Sequence, residues 1–140
     1  MRRRTRAREI ALQVLYQVDV RGEEILSDLD PLLDLSDAAD DVREYARGLV
    51  EGTVACRPEA DRLIASVAEH WDIARMAVVD RNVLRMAVYE MLRREDIPPK
   101  VAINEAIDLG KKYSTENSGA FINGILDRIR GIIEAERKKV

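Results

Sequence analysis

Apolar residues recur at intervals of three and four along almost the whole chain, and this periodicity restricts its fold more than any other feature. Such spacing puts apolar side chains on one face of an α-helix, whereas a half-buried strand alternates apolar and polar residues. No segment of the sequence alternates in that way. Aromatic residues make up only 4% of the chain, so Ala, Leu, Ile and Val must form the core. The sequence therefore predicts an all-α fold.

Breaks in the periodicity divide the chain into six or seven helices, and residues such as Gly22, Pro58 and Pro98 supply these breaks. The predicted segments lie at about 5–20, 24–33, 39–55, 58–71, 75–94, 99–113 and from about 118 onward. Ser36 or Asp37 is expected to cap one helix, and Asn117 or Ser118 the last one. A chain of 140 residues with these helices predicts one compact domain built of two helical bundles.

Two apolar stripes illustrate the pattern at the ends of the chain. In the first helix one face carries Ala7, Ile10, Ala11, Val14 and Val18. In the last helix it carries Ile122, Ile125, Leu126, Ile129, Ile132 and Ile133. A third stripe, expected to reach Trp71, carries Ala60, Leu63, Ile64, Val67, Ala68 and Trp71. Each stripe is expected to face a core.

The formal net charge of −3 conceals a strong asymmetry along the chain. Residues 1–18 contain five arginines and one glutamate, whereas residues 19–61 contain thirteen acidic residues and four arginines. The charge of one surface, and not the net charge, decides whether a protein binds nucleic acid. The basic amino-terminal end is therefore a candidate nucleic-acid surface despite the acidic balance of the whole chain.

The residue types that most enzymes and metal sites need are scarce. Cys56 is the only cysteine and is expected to be a small buried residue, since no second thiol exists for a disulfide or a CxxC site. His70 is the only histidine and is expected to be structural. The sequence contains no phosphate-binding loop, no dinucleotide-binding glycine motif and no nucleophile elbow. The paired acids Glu23-Glu24 and Asp40-Asp41 are expected on solvated faces. We therefore expect no enzymatic activity, no cofactor and no metal.

The chain shows no sign of export or of a membrane span. Its basic start is not followed by an apolar stretch of signal-peptide length, and no apolar run approaches the ~20 residues that cross a bilayer. A lone cysteine also suits a reducing compartment. The expected location is the cytoplasm.

Five arginines precede the first apolar stripe: Arg2, Arg3, Arg4, Arg6 and Arg8. Arg4 and Arg8 are four residues apart and share a helix face. Guanidinium groups bind phosphate oxygens and stack on unpaired bases, which suits single-stranded RNA. The alternative is a solvated tail. No helix breaker separates the arginines from the first stripe, which favours a row displayed on a fixed helix.

Three stretches resemble the NusB family, and together they span nearly the whole chain. The first is residues 3–17 (RRTRAREIALQVLYQ) and the second is residues 79–90 (VDRNVLRMAVYE). The third joins PKVAINEA at residues 99–106 to KKY at 111–113 and FINGILD at 121–127. This resemblance implies an all-α fold of two packed three-helix bundles, here at about residues 1–71 and 72–140 of a single NusB-like domain.

The resemblance also implies a function in transcription antitermination. NusB-like proteins pair with NusE, a small-subunit ribosomal protein, and the heterodimer recognises the boxA element of nascent single-stranded RNA. The pair helps assemble an antitermination complex on RNA polymerase, notably on ribosomal RNA operons. By this resemblance the chain is a non-enzymatic RNA-binding protein, and family members exist as monomers or as homodimers.

Candidate site residues follow from matching the family's motifs to this sequence. The resemblance assigns RNA contacts to Arg3, Arg4, Arg6, Arg8, Tyr16, Asn117 and Phe121. It assigns the contact with NusE to Asp80, Arg81 and Leu84. Alternatives remain open for three of them, since Tyr16 and Phe121 also suit core packing and Asn117 also suits a helix N-cap. Some family members carry an acidic residue where Asn117 stands, and the neutral amide here favours RNA.

Two further expectations concern packing in the second half of the chain. Asn104 and Glu105 lie between apolar neighbours, which predicts buried polar side chains with hydrogen-bond partners. The glycine of Asn123-Gly124 predicts a close approach of two helices.

Two rival functions remain. A NusB-like module of a ribosomal RNA cytosine methyltransferase would need an α/β cofactor-binding half and a catalytic cysteine pair, and neither is present in these 140 residues. A protein-only interaction bundle would self-associate as a homodimer, or it would use the acidic segment 19–61 to bind a basic partner.

Overall fold

The computed structural model describes residues 2–139 and is helical nearly throughout. Its six α-helices are α1 Arg2–Arg21, α2 Leu29–Asp34, α3 Asp40–Val67, α4 Val78–Arg93, α5 Pro99–Tyr113 and α6 Ser118–Lys138. Two 3-10 turns, Glu23–Asp28 and Ile73–Arg75, precede α2 and α4. Within the described residues there is no β-strand, so the prediction of an all-α fold is confirmed.

The helices form two compact units, the first extending to Ala55 and the second starting at Cys56. In the first unit α1 packs on the following 3-10 turn and on α2. In the second unit α4, α5 and α6 pack on one another, so three helices share one core. The division falls inside α3 and not in the connection after it, and the limits expected from sequence (about 1–71 and 72–140) remain a prediction.

Helix α3 runs without interruption through Pro58, so the prediction of two separate helices at 39–55 and 58–71 is wrong. Proline has no N–H, and the carbonyl four residues earlier therefore loses its usual partner. The ring of Pro58 is exposed, and buried residues continue the same face on both sides of it, Thr53 and Cys56 before and Ala60 after. Burial of that face stabilises the continuous helix in spite of the lost hydrogen bond.

Helix α4 begins at Val78, three residues later than the periodicity predicted. Met76 and Ala77 have extended backbone dihedrals (ψ of 151° and 137°), which interrupt the helix although Met76 is buried. The preceding 3-10 turn is capped by Asp72, whose Oδ1 accepts a hydrogen bond from the Ala74 N–H at 3.1 Å. The buried Met76 fits the helical spacing of apolar residues although its backbone is extended, and the predicted start of the helix was therefore too early.

The predicted helix at 24–33 is split into the first 3-10 turn and α2. Gly22 has a φ of 105°, a left-handed value that favours glycine, and it ends α1 as predicted. Ser36 does not cap α3, which starts at Asp40. Its hydroxyl donates to the Leu33 carbonyl at 2.7 Å and accepts from the Ala38 N–H at 3.3 Å, so it stabilises the connection instead.

The predicted stripes line the cores of the two units. In α1 the whole predicted stripe is buried, and in α6 only Ile132 is partly exposed. Each fully buried Leu, Ile or Val contributes roughly 1.5–3 kcal/mol relative to an exposed one. Cys56 is buried as predicted, and burial raises the pKa of its thiol, which disfavours the reactive thiolate.

Close approach of α5 and α6 occurs at Gly110 and Gly119, not at Gly124 as predicted. A methyl group on Gly110 would lie 2.4 Å from Cδ1 of Ile122, and one on Gly119 would lie 2.7 Å from Cε of Lys111. Gly124 is exposed, with open space where a methyl group would go. Asn104 is exposed as well, so its prediction as a buried polar residue is wrong.

Buried and half-buried polar contacts hold the end of α3 to α4 and α6. The guanidinium of Arg85, only 4% exposed, donates to both carboxylate oxygens of Asp61 at 2.7 and 3.1 Å. Arg128 of α6 donates to the Val67 carbonyl at 2.8 Å. The direction of the chain after Val67 is thereby fixed, and this direction sets the position of Trp71.

Candidate nucleic-acid interface

The arginines at the start of α1 differ sharply in exposure. Arg3, Arg4 and Arg6 are exposed, with 61% of the side-chain surface of Arg3 and 44% of that of Arg6 accessible. Arg8 is only 3% exposed. The side chain of Arg2 lies outside the described part of the structure. The helix therefore presents Arg3, Arg4 and Arg6, hereafter the arginine row, to a ligand, whereas Arg8 has almost no surface with which to touch one.

Tyr45 of α3 lies beneath these arginines. The guanidinium carbon of Arg4 is 4.9 Å from the centre of the Tyr45 ring, and that of Arg8 is 5.9 Å away. A cation within about 6 Å of a ring centre is attracted to the π-electrons. A surface depression here is lined by Arg3, Arg4, Asp41, Val42 and Tyr45. The ring thus contributes to holding Arg4 in place, and the side chain of Arg4 stays exposed.

Acidic neighbours partly neutralise the arginine row. Arg3 Nε lies 3.2 Å from Asp41 Oδ2, and an Arg6 nitrogen lies 3.6 Å from Glu9 Oε1. The exposed Arg3–Asp41 pair contributes about 0–1 kcal/mol, so a phosphate group can replace the Asp41 carboxylate at little cost. Glu9 is buried, so its carboxylate is not replaced in this way. These pairs lower the local positive charge without blocking the row.

Tyr16 is 42% exposed on the same helix as the arginine row. The alternative that it is an ordinary core residue is therefore not supported, because its ring keeps a large accessible surface. An exposed aromatic ring suits base stacking.

A second group of candidate residues lies in the second unit. The rings of Phe121 and Trp71 meet edge to face, with centres 5.6 Å apart and planes inclined by 72°. Asn117 occupies the N-cap position of α6, but its side chain makes no capping hydrogen bond and is exposed. The cleft around this pair, hereafter the aromatic cleft, is lined by Trp71, Arg75, Met76, Ala77, Asp80, Thr115, Asn117, Ser118 and Phe121.

Trp71 was missed as a candidate site residue because its spacing placed it on the apolar stripe of α3. In the structure α3 ends at Val67, and Trp71 is 56% exposed in the connection that follows. His70 is also exposed there. The polar residues Glu69, His70 and Asp72 around the tryptophan were the available signal that the helix had ended.

The three candidate partner-binding residues of α4 have different environments. Asp80 lines the aromatic cleft, and its Oδ1 is buried without a hydrogen-bond partner among the described residues. Arg81 is partly exposed and donates to the carbonyls of Ile73 and Ala74 at 3.3 and 3.2 Å. Leu84 has no exposed surface, so it offers no atom for direct contact and affects partner binding only through the position of α4.

Within residues 2–139, no cluster of histidine, cysteine and acidic side chains could hold a metal ion. None of the described helices combines the length and apolarity that crossing a membrane requires. Guanidinium groups, an amide and aromatic rings are exposed on the two candidate surfaces, together with the carboxylate of Asp41, and the first three are groups that contact single-stranded nucleic acid in other proteins.

A family model described as the NusB family matches residues 5–130. Among curated proteins, the chain is 51% identical over 138 residues to the transcription antitermination protein NusB of Anaeromyxobacter sp. (strain Fw109-5), covering 98% of this chain and 96% of that protein. It is 50% identical over 129 residues to the protein of the same name from Syntrophus aciditrophicus, covering 92% and 80% of the two chains.

Solved structures show the same likeness. The chain superposes on NusB of T. maritima with a TM-score of 0.81 and 42% identity, covering 91% of this chain and 90% of that one. It superposes with a TM-score of 0.83 and 34% identity on a chain from a crystal structure of the antitermination factors NusB and NusE in complex with dsRNA, covering 94% and 98%.

Proposed function

The chain belongs to the NusB family of transcription antitermination proteins, and on that premise we propose that it binds boxA RNA as a heterodimer with NusE. In this proposal the complex acts in the cytoplasm on RNA polymerase and supports transcription of ribosomal RNA operons. The chain acts by binding and carries out no catalysis. A related structure that contains NusB, NusE and RNA supports both kinds of binding.

The arginine row carries the RNA part of the proposal. Arg3, Arg4 and Arg6 project from a regular helix, and Arg4 is held over the Tyr45 ring at 4.9 Å. Because the helix fixes the backbone of the row before RNA arrives, little backbone entropy is lost on binding. A phosphate would take the place of Asp41 beside Arg3. The exposed guanidinium of Arg6 would bind another phosphate while the buried Glu9 stays in place. Tyr16, Asn117 and Phe121 supply further contacts to unpaired bases in this proposal.

The partner part of the proposal places NusE against the partly exposed side chains of Asp80 and Arg81 in α4. Acidic residues of the first unit are less available to a basic partner than the sequence indicated. Arg43 pairs with Asp34 and Asp40, and Arg47 pairs with Asp30, so part of the acidic segment is neutralised within the unit. A protein-only interaction bundle is therefore the weaker alternative.

The rival function as a methyltransferase module receives no support from the relatives. The relative from Anaeromyxobacter is itself matched over 96% of its length, and it is described as an antitermination protein. A homodimer remains compatible with the proposal, because self-association and pairing with NusE concern the same chain in different complexes.

The proposal is tested by titrating a labelled boxA RNA, and a scrambled RNA of the same composition, with the chain alone and with NusE added. We expect NusE to raise the affinity for boxA RNA much more than for scrambled RNA. Arg4→Ala should weaken boxA binding about tenfold, within the range for a charge-assisted hydrogen bond. The matched control is Arg62→Ala. Arg62 is an exposed arginine of α3 that forms no ion pair with a described carboxylate. Equal binding of both RNAs with NusE present, or equal loss in both variants, would refute the proposal.

A further inference from the structure

Within the aromatic cleft the rings of Trp71 and Phe121 form a corner, and Trp71 has no role in the proposed function. Trp71 and Phe121 stand nearly at right angles, with 72° between their planes. The larger ring, that of Trp71, remains 56% exposed although it is the only tryptophan of the chain. Two perpendicular aromatic walls can receive one planar ring, which stacks on one wall and meets the other with its edge.

Polar groups on the rim of the cleft suit a nucleotide. Arg75 is exposed, and none of the described carboxylates forms an ion pair with it. Asn117 contributes an amide that is not used in capping α6. A guanidinium group binds a phosphate oxygen, and an amide donates to or accepts from the edge of a base.

We propose that this corner is a pocket for one unpaired nucleotide of the bound RNA. The base stacks on Trp71 against the edge of Phe121, and the adjoining phosphate lies on Arg75. The inference rests on the proposed function and deepens it, because it adds Trp71 and Arg75 as direct RNA contacts. Neither residue was among the candidates that the sequence supplied.

A lysine or arginine side chain of a partner protein is the competing occupant. Aromatic rings attract cations, and the carboxylate of Asp80 lies in the same cleft. Arg75 opposes a second cation at this position, and it favours a phosphate instead. The two occupants respond differently to Asp80→Asn, which removes a negative charge. The response is measured with RNA and the chain alone, because the proposed function places NusE against Asp80. Binding of a phosphate-bearing nucleotide should be unchanged or tighter, whereas binding of a cationic side chain should weaken.

The test uses boxA RNA in which one nucleotide at a time is replaced by an abasic residue. We expect Trp71→Leu to weaken binding of intact RNA about 5- to 100-fold, the range for loss of one stacked base. Trp71→Phe should restore most of the affinity, because it keeps an aromatic face. For one abasic position the penalty of Trp71→Leu should vanish. Arg75→Ala should reduce the salt slope of binding by about 0.7, the value for one phosphate contact on a single strand.

Controls separate this inference from the proposed function and from misfolding. His70→Ala changes the exposed neighbour of Trp71 and should leave RNA binding unchanged. Far-UV circular dichroism checks that each variant is folded. The inference is overturned if the penalty of Trp71→Leu is the same at every abasic position, or if Trp71→Leu weakens NusE binding in the absence of RNA. Wild-type chain that binds no boxA RNA would contradict the proposed function itself.

Discussion

Arg4 and Arg8 share one face of α1, yet only Arg4 is exposed. Tyr45 of α3 lies within cation–π distance of both, at 4.9 and 5.9 Å. The buried guanidinium of Arg8 is part of the packing around the ring, whereas the side chain of Arg4 lies over the ring and remains exposed. Substitution of Arg8 would therefore report on stability as much as on RNA binding, which makes Arg4 the better position for a functional test.

Tyr45 should contribute to RNA binding through the arginine that it holds. Tyr45→Leu retains an apolar side chain but removes the π-face, and we expect it to lower RNA affinity about two- to fivefold, since exposed cation–π contacts are worth ~0.5–1 kcal/mol. Tyr45→Phe retains the face and should bind RNA like the wild type. Fluorescence anisotropy of labelled RNA measures both variants. Loss of affinity in Tyr45→Phe as well would assign the effect to the hydroxyl group and not to the ring.

Single-residue environments were the part of the site least predictable from sequence. Periodicity placed Arg4 and Arg8 on the same face but contains no information about Tyr45, which lies more than thirty residues away in the sequence. Trp71 fitted the stripe of α3 by spacing and became exposed only because the helix ends at Val67. Burial of a particular side chain depends on tertiary neighbours, which one sequence does not provide.

Helix pairs in the second unit are sensitive to side-chain size at particular glycines. Gly110 of α5 faces Cδ1 of Ile122, a residue of α6 with no exposed surface. Gly124 of α6 faces open space. Both glycines lie inside helices of the same unit and differ in the space around them, so they form a matched pair.

Gly110→Ala should destabilise the fold, because the added methyl group would lie 2.4 Å from Ile122 and the buried side chain cannot move into solvent. Overpacking of this kind costs about 1–3 kcal/mol. Gly124→Ala should stabilise by about 0.5–1 kcal/mol, since alanine favours the helix and nothing is displaced. Urea unfolding of both variants measures the difference. Equal changes would show that helix propensity alone decides the outcome.

Element boundaries were predictable where a strong breaker coincides with a change in burial. Pro98-Pro99 stops one helix and starts the next, and α5 covers 99–113 as predicted. Pro58 misled the prediction, because its apolar neighbours remain buried along one face and the helix continues through it. At Met76 the error is the reverse, because the sequence predicted a helix where the backbone is extended. A residue with extended backbone can be as well buried as a helical one.

The charge of the whole molecule opposes RNA binding, while the arginine row favours it. The net charge of −3 repels a polyanion at long range, and this repulsion is screened by salt together with the attraction. Three exposed arginines define the local attraction, because Arg8 is buried and Arg2 is outside the described side chains. The number of phosphate contacts should therefore be small.

The salt dependence of RNA binding by the chain alone should be shallow. Each phosphate contact on a single strand contributes about 0.7 to the slope of log K against log salt, so three contacts predict a slope of about −2. Titrations between low and moderate salt measure this slope. Arg4→Ala should bring it close to −1.4 by the same relation. A slope several times steeper would mean that further basic residues, outside the arginine row, bind RNA.

Trp71 also gives the molecule a spectroscopic property. As the only tryptophan, largely exposed and in contact with Phe121, it accounts alone for the indole emission of the chain. Its emission should lie toward the red, as for an indole in water, and should be quenched when a nucleobase covers it. Occupancy of the second unit can then be followed in unlabelled protein, separately from RNA held only by the arginines of the first helix.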